Sequence, residues 1–110
     1  ANRAAASARG ARIELAEARA GYESALAALP VARATVDKAR QSYELFRPLY
    51  RQGRQSVLEV LRARAALLEA EAGYSEQLYK LHLYRAAALL AAERLDGAAI
   101  DGMASALAAR

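Results

Sequence analysis

A seam of apolar residues, spaced at alternating steps of three and four, runs through the first half of the chain. It begins at Ala4 and continues to Tyr50, and every position in it is apolar or aromatic. The seam consists of Ala4, Ala8, Ala11, Leu15, Ala18, Tyr22, Ala25, Leu29, Ala32, Val36, Ala39, Tyr43, Phe46 and Tyr50. A repeat kept over this length is typical of a helix that packs along its side against another helix. We therefore predict a first helix over about residues 3–51.

Two prolines interrupt this predicted helix. A proline inside a helix removes one hydrogen bond and clashes one turn back, at a cost of about 3 kcal/mol. The seam nevertheless keeps its register across Pro30. We therefore expect a kink at Pro30 rather than a break. Pro48 lies in the last turns and is expected to distort them.

A turn and a new helix start follow at once. Residues 52–55 have few apolar side chains, and Gly53 can take a positive φ without steric cost, which suits a helix end. Ser56 and Glu59 match the capping box, in which each side chain bonds the other residue's backbone amide. The sequence predicts a tip loop over 52–55 and a second helix over about 56–95.

The second helix carries two apolar stripes instead of one. The first stripe consists of Val60, Ala63, Leu67, Ala70, Tyr74, Leu81, Tyr84, Ala88, Ala91 and Leu95. The second consists of Leu61, Ala65, Leu68, Ala72, Tyr79, Ala86 and Leu90. Two stripes make an apolar face too wide for one partner helix. An antiparallel hairpin should therefore leave one stripe in water and be only marginally stable without further helices beside it.

These patterns predict an all-α fold: a long antiparallel, coiled-coil-like hairpin over residues 1–97. Gly97 is a plausible terminator of the second helix, and residues 98–110 form a tail with room for one short helix. Alanine supplies 31 of the 110 residues, and β-branched and aromatic residues are few, which favours helices over sheets. No cysteine is present, so disulfides and thiolate metal sites are excluded.

The charges indicate a solvated helix surface. The net charge is +4, but basic and acidic residues alternate along the chain, as in Glu17 and Arg19 or Glu93 and Arg94. We therefore expect no nucleic-acid partner. His82 is the single histidine, and a half-buried structural histidine is the simplest interpretation of it. No glycine-rich phosphate loop or paired acids accompany the tip, so we expect no enzyme activity, cofactor or metal.

The tip segment nevertheless carries a recognisable motif. The run "YRQGRQSVLEVL" at residues 50–61 resembles the Y-x-x-G-x-x-S/T-x-x-D/E-V-L signature of the TolC-like outer-membrane efflux proteins. The following "RARAALLEAEAGY" resembles the family's A-x-x-x-L-x-x-A-x-x-x-Y continuation, and "VARATVDKARQSYELF" its alanine-spaced helix. The resemblance covers residues 3–97 and is sharpest over 43–74.

The resemblance implies a place in a larger assembly. Members of this family form homotrimers, in which an outer-membrane β-barrel continues into a long periplasmic α-barrel built of helical hairpins. The chain would be the hairpin of the second, C-terminal repeat, in the periplasmic portion of an outer-membrane protein. Its partners would be a periplasmic adaptor protein and an inner-membrane pump, which open the channel when they dock at the hairpin ends.

The resemblance also assigns roles to residues of the tip. Tyr50 would help to hold the entrance shut, Gly53 would lie at the adaptor contact, and Glu59 would line a pore constriction that favours cations. The adaptor-docking tip comprises Tyr50, Arg51, Gln52, Gly53, Arg54, Gln55 and Ser56. Two positions depart from the family pattern: Gln55 replaces a gate arginine, and Arg62 replaces a second acid.

Two alternatives remain open from the sequence. A periplasmic adaptor, the membrane-fusion protein that docks on such channels, also contains a long helical hairpin with glycine and serine at its tip. A structural coiled coil without a transport role would show the same seam. Lipoyl-like β segments beside the hairpin would indicate the adaptor, whereas strand segments of about ten alternating residues would indicate the channel.

Overall fold

A computed structural model describes residues 2–108 of the chain, apart from the side chains of Asn2 and Ala4. It contains two α-helices, α1 at Asn2–Arg51 and α2 at Val57–Ala108, and no strand in the described part. The predicted all-α class with two long helices is confirmed. The chain divides into two compact units. One is Ala25–Tyr79, and the other joins Ala1–Ser24 to Lys80–Arg110.

The unit Ala25–Tyr79, called the tip unit below, is a helical hairpin. It holds the second half of α1, the turn, and the first half of α2. Its buried residues are Ala25, Val36 and Ala63, all of them small or medium in size. The seam positions of α1 are thus packed against the first stripe of α2, as the heptad spacing predicts.

Polar contacts join the two helices of the tip unit at its surface. Arg40 and Glu71 approach to 3.6 Å between Nη2 and Oε1, with about half of each side chain exposed. Nη1 of Arg64 donates a hydrogen bond to the hydroxyl of Tyr43 at 3.2 Å, and the guanidinium lies 5.9 Å from the ring centroid. Exposed pairs of this kind add less than about 1 kcal/mol each. Their main effect is to favour one register of the helices.

The second compact unit, called the base unit, contains residues 2–24 of α1 and 80–108 of α2. Ala11, Ala18 and Ala91 are buried in it. The guanidinium of Arg94 donates a hydrogen bond to the carboxylate of Glu14 across the two helices. Gly21 of α1 lies against Tyr84 of α2. The partner residue on α2 thus moves from 94 to 84 as the chain moves from 14 to 21 on α1, so these segments are antiparallel.

The seam of α1 faces α2 for nearly its whole length. All of the described seam residues are buried or half-buried except Tyr50, of which 46% is exposed. The exception lies in the last turn before the loop, where α2 no longer covers the seam. The heptad prediction for α1 is therefore confirmed.

Neither proline interrupts α1, which is continuous through Pro30 and Pro48. Both prolines are exposed. A proline on the solvent side frees the carbonyl four residues earlier, and water can satisfy that group there. The predicted absence of a break at Pro30 is confirmed, and the kink itself stays a prediction.

The end of α2 differs from the prediction. The helix continues through Gly97 to Ala108, so the expected end near Leu95 and the separate short helix in 98–110 are corrected. A glycine costs a helix only about 1 kcal/mol relative to alanine, and the following residues are rich in alanine and leucine. Only Gly53 has a positive φ among the described glycines, so the helix-ending conformation is adopted there and not at Gly97.

The two apolar stripes of α2 have opposite environments. Every member of the first stripe, from Val60 to Leu95, is buried or half-buried. Every member of the second stripe is exposed, with 56% of Leu61, 54% of Leu68, 66% of Tyr79 and 62% of Leu90 accessible. The prediction that a hairpin leaves one stripe in water is confirmed.

The buried core is small. In the part of the chain that the structure covers, the buried residues are five alanines and Val36, whereas sixteen larger apolar side chains are exposed. Apolar burial stabilises by about 25 cal/mol per Å², so alanine contacts contribute little each. Neither helix, over its described residues, combines the length and the apolar character needed to cross a bilayer. The described residues therefore expose much more large apolar surface than they bury.

Gly21 permits a close helix contact in the base unit. A Cβ built on Gly21 would lie 2.4–2.6 Å from ring carbons of Tyr84, whereas one on Gly10 would meet nothing within 4 Å. We expect Gly21→Ala to lower the free energy of unfolding by about 1–2 kcal/mol, because the ring must move. The matched Gly10→Ala should raise it by about 0.5–1 kcal/mol through helix propensity. Thermal unfolding followed by circular dichroism, at one fixed low concentration, measures both.

The contact can be isolated with a double-mutant cycle. In a Tyr84→Ala background, Gly21→Ala should become neutral or stabilising, because the ring that opposes the new methyl group is gone. An equal loss in both backgrounds would show that Tyr84 is not the opposing group.

Candidate functional site

The turn at the end of α1 is fixed by backbone hydrogen bonds. The Arg54 amide donates to the Leu49 carbonyl at 2.8 Å, and the Gly53 amide donates to the Tyr50 carbonyl at 3.0 Å. With φ of 71° at Gly53, these two bonds form a Schellman motif, the usual glycine-terminated helix end. The Gln52 amide still donates to the Pro48 carbonyl at 3.1 Å, as in a helix. Position 53 therefore needs a residue that tolerates the left-handed conformation, which glycine adopts without steric cost.

The start of α2 follows directly. Ser56 Oγ accepts a hydrogen bond from the Glu59 amide at 3.2 Å, and the Ser56 carbonyl accepts from the Val60 amide at 3.3 Å. This is the serine half of the predicted capping box. The carboxylate of Glu59 is instead engaged by Arg62, whose Nη1 donates to Oε1 at 3.0 Å. The predicted start at Ser56 is thus confirmed as an N-cap, and the first residue of α2 is Val57.

The candidate docking residues are consecutive in sequence and lie at the turn between α1 and α2. Gln55 is half-buried, and the other six predicted tip residues are exposed: Tyr50, Arg51, Gln52, Gly53, Arg54 and Ser56. Exposed apolar side chains border them on both helices, at Leu45, Val57, Leu58 and Leu61. Exposed aromatic, arginine and leucine side chains therefore flank the turn.

Glu59, the proposed pore acid, is half-buried beside this surface. Its side chain is 42% exposed and forms an ion pair with Arg62, which is 67% exposed. Arg62 stands where the family pattern has a second acid, and in this structure it offsets the charge of Glu59 locally. The sequence could not show this pairing directly, although the spacing of three residues on a helix allows it.

A groove runs along one side of the tip unit, with a volume of about 860 Å³. Small residues from both helices form most of its wall. They include Ala28, Ala32, Thr35, Ala39 and Ser42 of α1 and Ala63, Ala66, Ala70 and Gly73 of α2. A groove lined by small side chains lets the ridge of another helix approach closely. Ala32 and Ala39 of the seam and Ala63 and Ala70 of the first stripe lie in this wall, but the periodicity of the sequence does not predict the groove itself.

The other side of the same helix pair is polar. It is lined by Arg33, Asp37, Arg40, Glu71 and Ser75, together with Val36 and Tyr74. Charged side chains with their ends in water are typical of a solvated surface. The tip unit therefore has one side suited to helix packing and one side suited to water.

The acidic residues and the histidine of the described part are spread along the helices. No three histidine, aspartate or glutamate side chains lie together as metal ligands there. His82 is exposed, which corrects the expectation of a half-buried histidine, and its neighbour Leu83 is exposed as well. The position one residue beyond Leu81 turns the imidazole away from the first stripe and toward solvent.

The chain was compared with protein-family models, curated proteins and solved structures. No family model, curated protein or solved structure matches it. The geometry of the two helices and the tip, together with the motif at 50–61, is therefore the basis for the function proposed below.

The Ser56 cap gives a direct test of the tip geometry. Ser56→Ala should lower the free energy of unfolding by about 1 kcal/mol, because the Glu59 amide loses its acceptor. Ser75→Ala is the matched control. Ser75 is exposed inside α2, so its replacement should be neutral or slightly stabilising. Urea unfolding at a fixed concentration measures both, and an equal loss in the two variants would contradict a capping role for Ser56.

Proposed function

We propose that this chain is the periplasmic helical hairpin of a subunit of an outer-membrane efflux channel of the TolC-like type. In this role it has no catalytic chemistry. The hairpin forms part of the wall of a passive export duct, and the duct is built as a homotrimer. The tip docks a periplasmic adaptor and, through it, an inner-membrane pump.

The observation that carries this proposal is the exposed second stripe of α2. A helix in the wall of an α-barrel contacts one neighbour on each side, so it needs two apolar surfaces. In α2 the first stripe packs against α1, and Leu61, Leu68 and Tyr79 of the second remain accessible. The groove of small residues in the tip unit adds a further surface that a neighbouring helix could fill.

The tip supports the docking part of the proposal. Gly53, Ser56 and Glu59 stand at the spacing of the family signature, and Gly53 and Ser56 perform the turn and cap functions that the spacing requires. The exposed side chains around them are presented on a backbone fixed by hydrogen bonds. Such a support keeps the contact residues ordered before binding, which lowers the entropy cost of docking.

The proposed pore role of Glu59 depends on whether its carboxylate is neutralised by Arg62. A ring of acids in a constriction attracts cations only through its unneutralised charge. In the single chain Arg62 lies 3.0 Å from Glu59. Glu59 would therefore act as a selective acid only where assembly draws Arg62 toward another partner, and selectivity should be weaker than with a second acid at position 62.

Two other functions would use the same hairpin. An adaptor hairpin shares the tip features, and a structural coiled coil shares the seam. The exposed stripe favours the channel, because a simple two-helix coiled coil has one seam to bury per helix. The parent reading frame separates the three: a second hairpin repeat with β-strand segments indicates the channel, lipoyl-like segments the adaptor, and neither of these the structural protein.

The proposed packing of the second stripe of α2 against a neighbouring helix, called the lateral role below, can be tested in the isolated chain. We expect the chain to be helical and to self-associate through the second stripe. Leu61→Gln with Leu68→Gln should weaken self-association by at least about tenfold, because burying a leucine contributes about 1.5–3 kcal/mol. Sedimentation equilibrium over a range of concentrations measures the change.

The matched control uses the exposed leucines of α1. Leu26→Gln with Leu45→Gln also replaces two exposed leucines, which are 48% and 61% exposed. The control should have the smaller effect on association. If light scattering shows that the unchanged chain is a stable monomer at high concentration, the lateral role is contradicted. It is also contradicted if the Leu26/Leu45 variant weakens association as much as the Leu61/Leu68 variant does.

The docking role predicts a loss of transport without a loss of assembly. Gly53→Pro fixes φ near −65° where 71° is required, and it removes the amide that donates to Tyr50. In the intact protein, this variant should still form trimers but should abolish efflux. Gly53→Asn, which tolerates the left-handed conformation, is the control and should retain most activity.

Trimer formation and efflux of the Gly53 variants are measured separately. Native electrophoresis of the purified intact protein reports the trimer, and cellular accumulation of a fluorescent efflux substrate reports transport. Normal efflux by the proline variant would exclude the tip as the docking element.

A further inference from the structure

The positive charge of the tip is concentrated and unpaired. Residues 45–58 contain Arg47, Arg51 and Arg54 and no acid, so this segment carries three positive charges. All three side chains are exposed. No hydrogen bond or ion pair joins any of them to another residue within the range that the structure describes.

The neighbouring arginines on α2 behave differently. Arg62 is paired with Glu59, and Arg64 is engaged by Tyr43 through a hydrogen bond and its ring face. Five arginines therefore surround the tip, and the chain itself provides partners for the two on α2. The three that remain lie on the last two turns of α1 and directly after Gly53.

These three arginines stand beside exposed apolar side chains. Leu45 and Tyr50 are 61% and 46% exposed, and Val57 and Leu58 across the turn are 52% and 53% exposed. Arginine and tyrosine are enriched at the centres of protein interfaces. An exposed cation is attracted by carboxylates on the opposing surface, which also speeds association.

We propose that the tip binds an acidic protein surface, in which carboxylates surround an apolar patch and pair with Arg47, Arg51 and Arg54. The inference rests on the proposed docking role of the tip and adds the chemistry of the partner. The apolar patch receives Tyr50 and Leu58, and the three arginines set the orientation and the rate of docking. In the single chain the half-buried Glu59 is paired with Arg62, which reduces its repulsion of incoming carboxylates.

A pair of synthetic helical peptides tests this chemistry. One contains glutamate and leucine in heptads, and the other contains lysine and leucine at the same positions. The full chain should bind the glutamate peptide in preference to the lysine peptide, as measured by fluorescence anisotropy. Raising the ionic strength from about 0.05 M to about 0.3 M should weaken binding, chiefly through the association rate in stopped-flow measurements.

Charge reversal at the tip supplies the decisive variant. R47E/R51E/R54E should weaken binding of the glutamate peptide by at least about tenfold and should make the lysine peptide the better ligand. A change of preference cannot come from loss of folding alone. R47Q/R51Q/R54Q, which removes charge without placing acids at the end of α1, should bind both peptides weakly.

A matched control changes the same charge elsewhere. R9E/R12E/R19E reverses three exposed arginines of α1 far from the turn in sequence, and it should keep the preference for the glutamate peptide. If this control shifts the preference as much as the tip variant, net charge is responsible and the proposal is wrong. Vesicles of phosphatidylcholine with phosphatidylglycerol form a further arm. Tip-dependent binding to them without binding to the glutamate peptide would identify a lipid headgroup instead and overturn the proposal.

Failure of the acidic-partner inference can be distinguished from failure of the proposed channel role. If the chain prefers no peptide while the Leu61 and Leu68 variants still disrupt self-association, the acidic-partner inference fails and the channel proposal stands. If the peptide preference holds while those variants leave self-association unchanged, the lateral packing of the channel fails instead.

Discussion

The alanine-lined contact between α1 and α2 is the constraint on which the rest of this structure depends. Small side chains at most buried positions let the two helices pack closely, but each contact removes little apolar area from water. The contact therefore fixes the register of α1 against α2, but its small core contributes little to the free energy of unfolding. Sixteen larger apolar side chains of the described residues are exposed, and in the proposed assembly neighbouring helices would cover part of them.

The tip has a different physical basis. Its geometry comes from local backbone bonds, one glycine with a positive φ and one serine cap, and not from the packing of large side chains. A weak hairpin core and a well-defined tip are compatible for this reason. In the proposed assembly, lateral packing would supply the missing stability, and the tip would keep its shape whether or not that packing is complete.

Most of the fold could be predicted from the sequence, because helix periodicity and capping act over a few residues. The seam from Ala8 to Phe46 and the start at Ser56 are examples. The continuation of α2 through Gly97 could not, because a glycine there is compatible with both a helix end and a helix interior, and the difference is about 1 kcal/mol. The pairing of Glu59 with Arg62 and the groove beside Ala32 and Ala70 depend on side-chain placement across space. The periodicity of the sequence assigns each position to an apolar or a polar helix face, but it does not determine which side chains contact one another.

The hydrogen bonds of the turn have a consequence for how such a tip can change over time. The backbone shape depends on Gly53 and on the hydroxyl of Ser56, and the side chains of Arg51, Gln52 and Arg54 take no part in it. Those three positions are exposed and can therefore be substituted at little structural cost. In the proposed docking role, a lineage that carries this hairpin could exchange one binding partner for another by altering a few surface side chains, while the backbone of the turn stays the same. Recognition would then diverge quickly on a scaffold that hardly diverges at all.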